Sequence, residues 1–158
     1  MAEVAHFYLT HDSEHEVVAF TLDREYIEDE CHFGLPVIPF DEIESSFAPS
    51  SFAMFVPISY RKVNKARAEK YAEAKQKGYE LVSYVSSKAT TWPGLSIGDN
   101  CFIFENNVIQ PFVKIGSNVI MWSGNHVGHH TKIGDHCFIA SHAVISGSVV
   151  VEPYCFIG

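Results

Sequence analysis

From residue 97 to the end of the chain every sixth residue is aliphatic: Ile97, Ile103, Ile109, Ile115, Met121, Val127, Ile133, Ile139, Ile145, Val151 and Ile157. Where about half of all residues are apolar, eleven positions in phase would arise by chance roughly once in two thousand trials. The pattern also echoes at eighteen. Ile97-Gly98-Asp99-Asn100-Cys101-Phe102 recurs as Ile115-Gly116-Ser117-Asn118-Val119-Ile120 and as Ile133-Gly134-Asp135-His136-Cys137-Phe138. Three six-residue sides therefore close one coil, and an aliphatic-led hexapeptide period is the mark of a parallel β-helix with a triangular cross-section. The lead side chains stack inward. The fourth residue after each lead faces the interior as well and must be compact, as the series Cys101, Asn107, Val113, Val119, Asn125, Thr131, Cys137, Ala143, Val149 and Cys155 is.

That series accounts for three of the four cysteines as packing, and with no CxxC spacing the default is reduced, buried thiols. The 158 residues carry 11 Lys and Arg against 19 Asp and Glu, a formal charge of -8. This balance argues against a nucleic-acid binder, which needs a basic face. An apolar fraction of 47% is ordinary for a chain that buries a core. No run of about 18 apolar residues encodes a membrane span. The start, Met1-Ala2-Glu3-Val4-Ala5-His6, has no basic n-region and does not read as a signal peptide. These features point to the cytoplasm.

The first 90 residues are a different text, in which the apolar period keeps changing. Ala2 to Leu9 reads as a short helix, Glu16 to Asp23 as a buried strand, and Gly34 to Pro39 as a turn-flanked extended piece. A short helix is expected from Asp41, a strand over Ser51 to Ile58, a long helix over Tyr60 to Lys77 stopped by Gly78, and a strand over Leu81 to Val85. Strand, helix, strand, helix, strand implies a small parallel sheet with crossover helices. The expected organisation is thus an α/β, Rossmann-like domain over 1–90 followed by a left-handed parallel β-helix over 91–158.

With those elements in place, the sequence resembles the left-handed β-helix sugar acyltransferases of the sialic-acid O-acetyltransferase type, which include amino-sugar N-acetyltransferases. The resemblance is carried by Gly34-Leu35-Pro36-Val37, Lys77-Gly78-Tyr79, Ile109-Gln110-Pro111-Phe112 and, above all, the run Trp122 to Asp135. It implies acetyl-CoA as acyl donor, a nucleotide-linked sugar held by the N-terminal domain, a homotrimer, and a coil histidine acting as general base. Matched through the His-x-x-x-Ile-Gly-Asp segment, the base is His129, and the backbone amide that meets the thioester matches the Ser146-Gly147 turn. The family often has an acid directly after this histidine, where this chain has His130. Family members also open with a strand and a Gly-x-Gly turn that this sequence lacks, so the N-terminal sheet is expected to miss its first strand. Together with a helix that stops mid-coil at Gly158, this suggests a chain lacking some sequence at each end.

The chemistry can be argued from the residues. Acyl transfer to an amine or hydroxyl needs a base for the nucleophile's proton, a task suited to imidazole at neutral pH. The developing oxyanion needs a preorganised donor such as a backbone N–H, and a glycine permits close approach. Five histidines, His126, His129, His130, His136 and His142, fall within seventeen residues. His129 points outward from its hexad, whereas His130 and His136 occupy turns. His126 is a candidate for the acceptor pocket, and His142 stacks one coil beyond Gly124 as either a cofactor contact or interface packing. Asn125 is a candidate substrate contact, although a stacked amide ladder with Asn107 is the preferred explanation. In the N-terminal part, Asp23 is either a ribose or base contact or a solvated loop residue. Arg61 is either a phosphate contact or a charged helix start. A zinc site of the gamma-class carbonic anhydrase kind needs a coil histidine pair spaced five apart and a histidine thirty-six residues earlier; His126, His129, His130, His136 and His142 offer neither, so no metal is expected. A non-catalytic trimeric scaffold and transfer of another acyl group remain as alternatives.

Overall fold

The computed structural model describes all 158 residues. In its C-terminal half, two-residue strands recur every six residues and pair in parallel with the strand eighteen residues on. They form three sheets of five, three and four strands. The first contains Tyr84–Val85, Phe102–Ile103, Ile120–Met121, Phe138–Ile139 and Phe156–Ile157. The second contains Val108–Ile109, His126–Val127 and Val144–Ile145, and the third runs from Ser96–Ile97 through Lys114–Ile115 and Lys132–Ile133 to Val150–Val151. This is the left-handed parallel β-helix that the period implied. It takes in Tyr84–Val85, ahead of residue 91 where the sequence placed its start.

The interior is built as the sequence required. Ile103, Met121, Val127 and Ile139 are wholly buried, and so are Cys101, Val119 and Cys137 from the compact series. Between these inward positions the chain must turn a corner every six residues, and it does so with one left-handed residue. All ten residues from Asn100 to Tyr154 at this phase have φ between 52° and 79°. Only Gly124 among them is a glycine, while Asn100, Asn106, Asn118, His130, His136 and His142 are of the types that tolerate this region best.

Each sheet presents a different outer face. On the first, Phe102, Ile120 and Phe138 are buried beneath α1 (Ala2–His11), which brings Ala5 and Leu9 against them. Helix α1 is tethered at its C-terminal end. Tyr8 donates to Glu105 across 2.7 Å, and burial followed by that carboxylate pushes the Tyr8 phenol up to about 12. Asp12 accepts from the Ser87 N–H and from the Ser86 and Tyr84 hydroxyls. These bonds, led by Ser87, hold the Asp12 carboxyl well below its ordinary range. The second sheet exposes Val108 and Val144 around His126, and the third exposes Ser96, Lys114, Lys132 and Val150.

The rest of the N-terminal part contains β1 (Phe20–Leu22), β2 (Cys31–His32), β3 (Leu35–Pro39), α2 (Ile43–Ser46) and α3 (Lys65–Gln76). The observed sheet has the order β1-β3-β2, with β1 parallel and β2 antiparallel to β3. This differs from the continuous parallel sheet expected from the sequence. Ser51 to Ile58 contributes one bridge, Met54 to Leu81, and Tyr84–Val85 goes to the coil. Between β1 and the Ala53–Phe55 segment lies a mainly apolar cavity of about 420 Å³ lined also by α1.

Helix α3 begins later than predicted because Lys62, Val63 and Asn64 all turn left-handed, with φ of 53°, 50° and 67°. That turn carries the Asn64 amide into the coil, where it donates to Tyr154 O and Cys155 O. One turn on, Arg67 is fully buried and joins α3 to the same corner of the β-helix. A column of side chains runs up this corner. The Val56 N–H donates to Asn100 Oδ1 (2.7 Å), and Asn100 Nδ2 donates to Val56 O and to Asn118 Oδ1 (2.8 Å). Asn118 Nδ2 then meets His136 Nδ1 at 2.8 Å.

Candidate active site

The outward imidazole at the corner between the second and third sheets is that of His129, two residues after the buried lead Val127. Three coils build this corner. From the coil below, the Gln110 side chain accepts the His129 N–H at 2.8 Å, and Pro111 O accepts from the His130 N–H. From the coil above, the Ser148 N–H donates to His129 O at 2.8 Å.

The His129 ring lies directly over Gly147. A Cβ at that glycine would stand 2.9 Å from His129 Cε1 and 3.0 Å from Nε2, closer than side chains approach. Glycine is needed there for space. Thr131 donates its hydroxyl to Ser146 O at 2.9 Å and so fixes the preceding peptide, while the Gly147 N–H makes no hydrogen bond within the chain. The corner thus holds an exposed imidazole beside an unspent backbone donor, with no carboxylate on either ring of the His129-His130 pair. Such a pair of groups can remove a proton and stabilise an oxyanion.

Other expected site residues lie elsewhere. His126 is half-buried on the outer face of the second sheet, three residues before His129 and between Val108 and Val144. His142 sits over Gly124 at the corner between the first and second sheets, one corner away from Ser146 and Gly147, with which the sequence had grouped it. Asn125 is a correction. Its side chain is buried inside the coil, where Nδ2 donates to Trp122 O and Oδ1 accepts from the Ala143 N–H, so it cannot meet a substrate. Asn107 makes the equivalent bonds one coil below, to Phe104 O and from the Asn125 N–H, and reaches Trp122 O as well. The ladder therefore runs through backbone groups and does not stack amide on amide.

Asp23 is ion-paired with Lys70 at 2.8 Å in an open polar cleft with Arg24, Asp41 and Lys77. Arg61 is exposed in the turn before α3. Within one chain neither joins the His129 corner. Gln110 and Phe112, the latter packed on His130, were overlooked as site residues. The eighteen-residue echo could have found them, since Pro111 stands one coil below His129.

Residues 94–129 match the bacterial transferase hexapeptide family, which comprises six repeats. No curated protein matches the chain. Among solved structures, WeeI from Acinetobacter baumannii AYE superposes with a TM-score of 0.78 at 19% identity, over 98% of this chain and 70% of its own. PerB from Caulobacter crescentus, solved with CoA and GDP-perosamine, gives a TM-score of 0.63 at 18% identity over 82% of this chain and 70% of its own. This perosamine N-acetyltransferase has also been solved with one histidine replaced by asparagine or alanine. The acetyltransferase domain of PglB from Neisseria gonorrhoeae FA1090, solved with acetyl coenzyme A, gives 0.55 at 18% identity over 88% of this chain and 78% of its own. At these identities the likeness is one of fold. The chain carries hexapeptide repeats and shares the fold of these structures.

Proposed function

We propose that the chain is an acetyl-CoA-dependent N-acetyltransferase whose acceptor is the amino group of a nucleotide-linked sugar. The observation that carries this reading is the His129 corner, where an exposed imidazole lies over a glycine with a free N–H. Its support from outside the chain is that proteins of this fold have been solved with CoA, with acetyl-CoA and with GDP-perosamine.

In this reading the acceptor amine attacks the thioester carbonyl and a C–N bond forms. His129 Nε2 takes the amine proton, and the Gly147 N–H receives the developing oxyanion. The C–S bond then breaks and CoA leaves as the thiolate. The N-terminal part, read as a reduced Rossmann-like domain, holds the nucleotide in the cleft of Asp23, Lys70 and Lys77. Three chains assemble through the outer face of the second sheet, where Val108 is 38% and Val144 77% exposed. An apolar face of this kind calls for a partner. The site then lies between neighbouring helices, with His126 facing the acceptor. No helix is long and apolar enough to cross a membrane. We place the activity in the cytoplasm, in the supply of modified sugars for polysaccharide assembly.

The test is free-thiol release from acetyl-CoA with GDP-perosamine and related nucleotide-linked amino sugars as acceptors. His129→Ala is expected to lower the rate by about 10²–10⁴-fold, the usual worth of a positioned general base. An unchanged rate in that variant removes His129 from the role. Calorimetry that detects no acetyl-CoA binding would favour a scaffold.

A further inference from the structure

The residue after His129 is itself a histidine, and the two rings are not independent. His129 Nδ1 and His130 Nδ1 lie 3.1 Å apart, with the rings almost perpendicular at 87°. Two imidazole nitrogens at that distance share a single proton. Two bare lone pairs would repel, as would two N–H groups, so one nitrogen donates and the other accepts.

Both rings are held for this contact by the coils around them. His130 occupies the left-handed corner position with φ of 60°, and its ring packs on Phe112 with centroids 4.7 Å apart. His129 is pinned by Gln110, Ser148 and Gly147 as described. The other side chains of the corner, from Gln110 to Phe112 and Ser146 to Ser148, carry no charge. The nearest cationic positions in sequence, Lys114 and Lys132, project from the third sheet. His130 is therefore the one side chain bonded to the inner nitrogen of His129.

We propose that His130 is a positioning residue, whose Nδ1 accepts the His129 Nδ1–H and so leaves His129 Nε2 bare to take the acceptor's proton. This rests on the acetyltransferase reading for its catalytic meaning, but the pairing itself does not. A free imidazole prefers to carry its proton on Nε2, which would block the outward nitrogen. A hydrogen bond from Nδ1–H reverses that preference, the task that a carboxylate or carbonyl performs for other catalytic histidines. During transfer the amine proton moves to His129 Nε2, the Nδ1–H stays on His129, and His130 keeps its own proton on Nε2. No further proton acceptor is needed.

The experiment uses two substitutions that both suit a left-handed backbone. In His130→Asn the side-chain Oδ1 occupies the place of Nδ1, because each is the δ atom attached to Cγ, so the acceptor is kept. In His130→Gly the acceptor is lost, and glycine adopts this φ without strain. Long-range proton–nitrogen NMR of the full-length protein reads the His129 tautomer without any substrate, with His129→Gln identifying the signals. The expected result is a proton on Nδ1 in the wild type and in His130→Asn, and predominantly on Nε2 in His130→Gly.

In acetyl transfer, His130→Gly should lose about 10–100-fold in kcat, the range typical of an orienting partner, with KM for acetyl-CoA unchanged and His130→Asn restoring the rate. A wild-type His129 protonated on Nε2 would overturn the proposal, as would a tautomer that is the same in His130→Gly. A wild type with the expected tautomer but no transferase activity would uphold the pairing and overturn the acetyltransferase reading.

Discussion

Replacing Arg67 with methionine tests what fixes α3 to the β-helix. The guanidinium is fully buried and has no carboxylate partner. Its Nε and Nη2 donate to Asn118 O at 3.2 Å, and Nη2 also reaches His136 O at 3.1 Å and Cys137 O at 3.0 Å. Nη1 donates to Ile58 O at 3.1 Å and Ser59 O at 3.3 Å. Burial pulls the Arg67 pKa down to about 10, which still leaves it charged at neutral pH. Methionine fills a similar volume but leaves these carbonyls without donors. Cys137 O keeps its bond from the Ile120 N–H, so five carbonyls are stranded, those of Ile58, Ser59, Asn118 and His136 and that of the Asn64 side chain. Each stranded group costs about 1–3 kcal/mol. Against that stands the relief of no longer burying a cation, several kcal/mol. The net expectation is destabilisation by roughly 3–5 kcal/mol, the range for breaking a buried charged network. For a chain of this length that lowers Tm by roughly 6–20 °C. Thermal unfolding followed by circular dichroism measures it, with Lys65→Met on the exposed part of α3 as a control within about 0.5 kcal/mol. An Arg67→Met variant as stable as the wild type would show that the carbonyls are satisfied without the guanidinium and would refute the reasoning.

Three further outcomes are expected. Gly147→Ala should displace the His129 ring and reduce acetyl transfer while circular dichroism stays native; full activity would mean that the ring need not lie over Gly147. Burial lowers the His136 pKa below its ordinary value, against opposing contributions from Asp135 and Asp99, with Arg67 adding to the lowering. The unfolded chain then binds the extra proton first, so this histidine costs nothing above about pH 6.5 and costs stability as the pH falls below that. His136→Asn keeps an acceptor for Asn118 and should flatten that acid slope in denaturant titrations at successive pH values. Finally, burial pushes the thiols of Cys101 and Cys137 up to about 12 and about 11. An aromatic disulfide reagent at pH 8 should therefore label the exposed Cys31 first and leave those two unlabelled until the protein unfolds.

The coil was legible in the sequence because its rule is local. Every side needs an aliphatic lead and a compact fourth follower, and those requirements repeat before any long-range contact is considered. The same arithmetic set His129 outward on its hexad, whereas its reading as a base came from the family resemblance. The N-terminal sheet was less legible, since apolar runs such as Ser51 to Ile58 show that a segment is covered and do not show what pairs with it. Leu81 to Val85 illustrates the difficulty: one short run serves a bridge to Met54 at its start and a rung of the coil at its end. Arg67, among Lys65, Arg61 and Lys70, reads as one more surface charge. Its burial depends on carbonyls some fifty to seventy residues away. Asn125 was placed inward correctly, but its amide is spent on backbone groups that only the stacked coils bring near.

The column from Val56 through Asn100 and Asn118 to His136 has a direction. A peptide group cannot be turned end for end as a side-chain amide can, so the Val56 N–H and C=O fix which way the Asn100 amide faces. That orientation obliges Asn118 to present its NH₂ upward, and His136 in turn must receive it with a bare Nδ1. The proton of an imidazole two coils away is thus assigned by whether one N-terminal peptide is in its seat. A nitrogen spectrum of His136 would report the docking of the segment around Val56, much as the last needle in a row of magnets reports the setting of the first.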